Sequence, residues 1–356
     1  MINVTKAFFP PLAEYIHHLE RIWKNEWLTN RGELVLELEN KLKEHLEVPN
    51  LLLLNNGTIP LQIALKLLGN QGEIITTPFS YIATSSSIIW ENCIPVFVDI
   101  HSKYLTIDES KIEAALTSRT TAILATHVFG NPCDVEAIEK IAKKNNLKVI
   151  YDSAHAFGVT YKGKSLFTYG DINTCSFHAT KLFHTGEGGA IFCKDDQLMH
   201  KAFYSHNFGH NGPTEFHGLG INGKMSELQA AMGLSVLPYI ESVLKARKKI
   251  VDYYIQNLDS KKFKFIKIRE GTEWNYSYCP IVLESEVLLL RVLDKLKAHE
   301  IFPRRYFYPS LNTIDYISGA SMPISENISA RILCLPLYHN LESSSYELIV
   351  NLLNKC

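Results

Sequence analysis

The 356-residue sequence has no excess of either charge: 36 Lys and Arg stand against 37 Asp and Glu, for a formal net charge of −1. A chain so balanced carries no global field to draw nucleic acid or an anionic membrane, and neither partner is expected. Long apolar runs are missing too, none approaching the roughly 20 residues of a membrane-spanning helix. The first residues, Met1 to Pro11, mix Asn3, Thr5 and Lys6 with a proline pair where a secretory signal would have an unbroken apolar core, so a cytoplasmic location is expected. The seven cysteines are odd in number and contain no CxxC pair, which argues against a disulfide framework and against a zinc site. The sequence shows no internal repeat and no low-complexity segment. Its one basic cluster, Lys245-Ala246-Arg247-Lys248-Lys249, falls in a helical pattern and reads as a solvated helix face.

What is present is alternation. Between residues 50 and 235 short apolar runs (Asn50–Leu54, Glu73–Thr77, Ile94–Val98, Thr121–Ala125, Lys148–Tyr151, Thr174–Phe177, Ala190–Cys193) alternate with helical patterns, which predicts an α/β domain around a mostly parallel buried sheet. One βαβ crossover is especially clear: strand Thr121–Ala125, then Asp134 as a cap for a helix with Val135, Ile138, Ile141 and Ala142 on one face, then strand Lys148–Tyr151. Beyond Pro238 longer amphipathic helices dominate, with strands expected near Phe263–Ile268, Tyr276–Val282 and Ile332–Leu335. The division expected is a large domain, 1–235, and a smaller C-terminal α/β domain, 236–356, with the first 30 or so residues packing with the latter.

Ligands of open parallel sheets bind beyond the carboxyl ends of the strands, and several polar groups fall there. Asn55-Asn56-Gly57-Thr58 follows the first strand and opens a helix, so its amides can face an anion. Tyr81 offers a ring face. Asp152 closes the Val149-Ile150-Tyr151 run and His155 follows it; taken singly, Asp152 also fits a turn cap and His155 a core histidine. Lys181 ends Ser176-Phe177-His178-Ala179-Thr180-Lys181, just ahead of Gly186-Glu187-Gly188-Gly189. A desolvated lysine amine can form an imine with an aldehyde, and a carboxylate such as Asp152 can hold a pyridinium nitrogen protonated. His178 and His184 lack a third ligand, so no metal is assigned. The glycine run superficially suggests a dinucleotide turn, but an apolar strand pattern follows it where that motif requires a helix.

Taken in order, Gly57-Thr58, Thr77-Pro78-Phe79-Ser80-Tyr81, His127-Val128-Phe129-Gly130-Asn131-Pro132, Asp152-Ser153-Ala154-His155, the Lys181 segment, the glycine run and Gly220-Ile221-Asn222-Gly223-Lys224-Met225-Ser226-Glu227-Leu228-Gln229 resemble the DegT/DnrJ/StrS family of nucleotide-sugar aminotransferases. The resemblance covers nearly the whole chain. It implies a fold-type I, aspartate aminotransferase-like enzyme that uses pyridoxal 5′-phosphate (PLP) and works as a homodimer with active sites at the subunit interface. By the same resemblance Lys181 is the Schiff-base lysine and proton shuttle, Asp152 the pyridinium partner, His155 the donor to the phenolic oxygen and Tyr81 the stacking ring. Gly57, Thr58 and Ser176 would hold the phosphate, with Asn222 reaching it from the other subunit. Many relatives have a GYNYR pattern where this chain has Ile221, Gly223 and Lys224 around Asn222, which leaves more open room. A branch with histidine at the lysine position dehydrates its sugar; Lys181 favours transamination. The implied substrates are L-glutamate and a dTDP-linked 4-keto-6-deoxyglucose, aminated at C4 for surface polysaccharide such as O-antigen; a 3-keto substrate aminated at C3 and a non-catalytic binding protein on the same fold are the alternatives. Asn30, Phe183 and the Arg304–Tyr308 segment are candidate sugar contacts.

Overall fold

The computed structural model describes residues 1–317 and 319–356. Its main sheet has seven strands, in the spatial order β1 (Leu51–Leu54), β7 (Gly189–Phe192), β6 (Ile172–Ser176), β5 (Lys148–Asp152), β4 (Thr120–Thr126), β2 (Glu73–Thr76) and β3 (Ile94–Phe97). All are parallel except β7, which runs antiparallel to both neighbours. The exception follows from the connection. Only the irregular loop 177–188 joins β6 to β7, and a crossover helix is what would turn the chain round to run parallel. The expected α/β class with a mostly parallel sheet is therefore what forms, with strand ends shifted by a residue or two.

Side chains on a strand alternate between faces, and both faces of this sheet are covered. In β1, Leu51 and Leu53 pack with Phe192, Phe177 and helix α2 (Glu33–His45), whereas Leu52 and Leu54 pack with Leu61, Leu65 and Ile191 under helix α3 (Thr58–Leu68). That double burial is why the strand reads as four consecutive leucines. Helix α5 (Val135–Lys144) buries Val135, Ile138 and Ala142, and the Asp134 carboxylate caps it by accepting from the Ala137 N–H at 3.0 Å. After helix α6 (Asp196–Ser205), helix α7 (Glu227–Val236) starts with a Ser226/Gln229 capping box. The buried Glu227 carboxylate then accepts from the Leu34 and Val35 N–H groups, placing a negative charge at the start of α2.

The C-terminal part has its own antiparallel sheet, Phe263–Phe265, Cys279–Leu283 and Ile332–Leu335, and its own apolar core. Helix α8 (Ile240–Asn257) contributes to both cores, Ile240 and Val243 to the first, Ile250, Val251 and Tyr254 to the second. Ile2–Asn3 pairs with Ile301–Phe302, while helix α1 (Leu12–Asn25) lies against α7.

Two readings are corrected here. Arg247 is not on a solvated face: it is buried and donates to the carbonyls of Tyr276, Ser277 and Leu337, so the basic cluster is a polar face with one inward-pointing anchor. The strand expected at Tyr276–Val282 begins only at Cys279, because Arg247 takes the carbonyls of Tyr276 and Ser277 and Tyr276 adopts a positive φ of 50°.

Candidate active site

The carboxyl ends of β1, β2, β4, β5 and β6 share one edge of the main sheet, where the loops leaving them line a cavity of about 290 Å³. Gly57 sits where the β1 loop meets the end of β6. A Cβ there would lie 2.5 Å from the Ser176 Cβ, so only glycine permits the approach that brings Gly57, Thr58 and Ser176 together at the cavity wall. The start of α3 is capped locally: the N–H groups of Thr58 and Ile59 donate to Asn56 Oδ1 at 2.8 and 2.9 Å.

Asp152, the last residue of β5, presents a buried carboxylate to the cavity. Thr84 Oγ1 donates to its Oδ2 at 2.6 Å and the Ala154 N–H to its Oδ1 at 3.1 Å. Thr84 is linked in turn to the Ser80 hydroxyl (2.7 Å), and Ser80 to Thr126 at the end of β4 (3.0 Å). Burial pushes the Asp152 carboxyl up from its ordinary value, and the two hydrogen bonds and the Lys181 charge pull it back. Lys181 lies in the loop between β6 and β7, its N–H bonded to His178 O at 2.8 Å, and lines the same cavity. Burial draws its amine down from the usual lysine range, against the opposing pull of Asp152, which brings it nearer to the neutral, nucleophilic form.

His155 packs in a cluster of aromatic rings. Phe307 and Phe129 stack on it nearly parallel, at 5.7 and 6.2 Å between centroids, and Tyr278 is tilted against it at 4.6 Å. The Phe129 N–H donates to His155 Nδ1 at 3.1 Å. Desolvation, with the Lys181 charge adding to it, drives the ring's pKa well below the usual histidine value, so the ring is neutral. A neutral imidazole whose Nδ1 accepts must carry its proton on Nε2. Tyr81, 58% exposed, immediately precedes helix α4 (Ile82–Trp90) and lines the cavity.

The chain thus brings Gly57, Thr58, Tyr81, Asp152, His155, Ser176 and Lys181 to one cavity. It does not bring Asn222, which is exposed on the surface with its Oδ1 accepting from Lys224 Nζ at 2.7 Å. Of the candidate sugar contacts, Arg304, Tyr306 and Phe307 line the cavity, Asn30 lies outside it, and Phe183 is a core residue stacked on Phe157 at 4.7 Å. His184 is buried against Phe8 O, and the described residues contain no cluster of three metal-ligating side chains. The glycine run serves packing: a Cβ on Gly188 or Gly189 would fall 2.0 Å from Thr185 Oγ1 or 2.2 Å from Asn56 O.

Sequence reading missed Thr84, Ser80 and Thr126, although the hydroxyl-rich run Ser80 to Thr84 beside Tyr81 was a signal. It also missed the bridging Gln229, whose Nε2 donates to the carbonyls of Asn55 (3.0 Å) and Glu187 (2.7 Å) and so ties the β1 turn to the glycine loop.

The family model of the DegT/DnrJ/EryC1/StrS aminotransferases matches residues 12–354. The chain belongs to this family. It is 44% identical over 357 residues to a dTDP-4-amino-4,6-dideoxy-D-glucose transaminase of Shigella dysenteriae, covering 98% of this chain and 97% of that one. A protein of the same name from Escherichia coli is 41% identical, over 99% and 98% of the two chains. Among solved structures, DesI in the presence of its TDP-sugar product superposes with a TM-score of 0.95 at 29% identity, covering 100% of this chain and 92% of that one. The protein is accordingly an aminotransferase of fold type I, and the family's enzymes are PLP-dependent.

Proposed function

We propose that this aminotransferase binds PLP in the β-edge cavity and moves an amino group from L-glutamate to C4 of a dTDP-linked 4-keto-6-deoxy-D-glucose, yielding dTDP-4-amino-4,6-dideoxyglucose for surface polysaccharide. The observation that carries the reading is a lysine amine and a buried carboxylate facing one cavity, with a neutral histidine and a glycine-hydroxyl corner beside them. The residues fit the cofactor. The corner of Gly57, Thr58 and Ser176 at the cavity wall would offer a phosphate the Thr58 and Ser176 hydroxyls, the Thr58 N–H being taken by Asn56. Asp152 is positioned for a protonated ring nitrogen, His155 Nε2–H for an oxygen acceptor and Tyr81 for the ring face. Bound there, PLP supplies an aldehyde that accepts and returns the amino group and a ring that takes up electrons as the donor's C–H bond breaks.

The protein's share is positioning and proton transfer. Lys181 Nζ takes the proton from the donor's α-carbon and, in the second half of the cycle, delivers one to the sugar carbon. Asp152, oriented by Thr84 and Ala154, keeps the ring nitrogen protonated. Arg304 and Tyr306 line the same cavity and would contact the sugar nucleotide. We further propose a division near residue 236, a cytoplasmic enzyme and a homodimer. Large exposed apolar side chains, Trp23, Trp27, Leu28, Phe216 and Leu219 among them, support the dimer. Asn222 is free of its own cavity to reach the phosphate of a second copy.

The test is NMR of the product after incubation with PLP, L-glutamate and dTDP-4-keto-6-deoxyglucose. An amine on C4 is expected; an amine on C3 from the 3-keto isomer alone would transfer the assignment to that substrate.

A further inference from the structure

A strap from the C-terminal part, residues 267–277, crosses the loops that carry His155. At its Trp274-Asn275 end the strap donates side-chain hydrogen bonds to backbone carbonyls of the large sheet's loops. Trp274 Nε1 donates to Phe129 O at 2.7 Å. Asn275 Nδ2 donates to both His155 O and Phe157 O, each at 2.9 Å, while Asn275 Oδ1 accepts from the Ser277 N–H at 3.1 Å. The contact is tight, since a Cβ on Gly130 would lie 2.6 Å from Asn275 Oδ1 and 3.0 Å from His155 O. Buried Arg247 fixes the strap from behind through the carbonyls of Tyr276 and Ser277.

The consequence lies one bond further in. Phe129 has a positive φ of 56°, a conformation that a bulky residue adopts only when its surroundings enforce it. In that conformation its N–H reaches His155 Nδ1. Trp274 holds the carbonyl of the same residue, and Asn275 holds the backbone of the histidine. We infer that Trp274 and Asn275 are positioning residues that set the tautomer of His155, keeping Nδ1 as acceptor and Nε2–H as the donor presented to the cofactor. The inference deepens the proposed cofactor reading and rests on it for the identity of the acceptor. The tautomer itself can be measured without cofactor.

Trp274→Phe keeps an aromatic ring but removes the indole donor and part of the ring's bulk; Asn275→Ala removes both amide donors and the Oδ1 acceptor. In the cofactor-free protein, 15N–1H NMR of the histidine rings, with His155 assigned by its absence in His155→Gln, should show a single Nε2–H tautomer in the wild type. Averaged nitrogen shifts are expected in either strap variant. In the PLP-loaded protein, Trp274→Phe should weaken cofactor binding about three- to tenfold, the equivalent of one neutral hydrogen bond. The same substitution made on top of His155→Gln, where no tautomer remains to be set, should have little further effect. Equal loss in both backgrounds would mean that the strap is merely structural and overturns the inference, as would an unchanged His155 tautomer in folded strap variants. If Trp274→Phe does not fold, Asn275→Ala decides by the same two readouts. A wild type that binds no PLP would overturn the cofactor reading alone, and the apo NMR would still decide the positioning claim.

Discussion

The cavity has two walls held in different ways. One is the edge of the main sheet, where Asp152 and Ser176 end strands locked by a continuous ladder, Gly57 lies in the loop after β1 and Lys181 in the loop 177–188 between β6 and β7. The other is built from the C-terminal part, Tyr278, Arg304, Tyr306 and Phe307, and is fastened to the first by side chains reaching backbone carbonyls, as Trp274 and Asn275 do. A strand end fixes a side chain through local geometry alone. A strap fixes it only if partners more than a hundred residues away are in place. The first wall should therefore fail chemically when altered, and the second should fail through alignment and stability.

The largest effect belongs to the sheet wall. Lys181→Ala removes the only amine proposed to move protons and should lower turnover by at least about 10³-fold while leaving the fold intact; steady-state amination rates check it, and near-normal turnover would break the distinction. Asp152→Asn keeps the shape but not the charge opposite the ring nitrogen, and a fall in kcat of about 10²-fold with a smaller change in KM is expected. The other wall gives a different signature. Asn131, after β4, joins the strap from the main-sheet side, its Nδ2 donating to Tyr104 O and Lys267 O and its Oδ1 accepting from the Arg269 N–H. Asn131→Ala strands these buried groups, so urea unfolding should show a loss of about 2–4 kcal/mol, with kcat of the remaining folded protein little changed. Thr84→Val deletes one hydroxyl behind Asp152 and should reduce kcat by only about three- to tenfold, the equivalent of a single hydrogen bond.

A pH dependence sharpens the comparison further. His127, which stacks on Tyr151 and accepts the Cys133 N–H, is driven by burial to a pKa of about 3, and His206 to about 4. The unfolded chain takes up protons near pH 6.5 that the folded chain refuses, so stability is full above about pH 7 and falls as the pH drops from there toward 4, by up to ~1.4 kcal/mol per unit for each such histidine. Unfolding at pH 7.5 and 5.5 should show this loss, and His127→Phe should reduce it.

The same contrast explains what was legible in the sequence. Gly57, Asp152, Ser176 and Lys181, which line one cavity, could be singled out because each falls beside the end of a recognisable run, while their expected roles came from the family resemblance. Thr84 was harder, since its hydroxyl matters only through Asp152, 68 positions away. Arg247 was misread because helical periodicity describes a face and cannot reveal that one long side chain turns inward to three carbonyls. Trp274 and Asn275 carried no signal at all, as nothing in their neighbourhood announces the loops they clamp.

The most direct test of the site is borohydride reduction of the PLP-loaded protein followed by peptide mapping. The account predicts the pyridoxyl group on Lys181 and loss of that labelling in Lys181→Ala. Labelling of another lysine, with Lys181 unmodified, would contradict it.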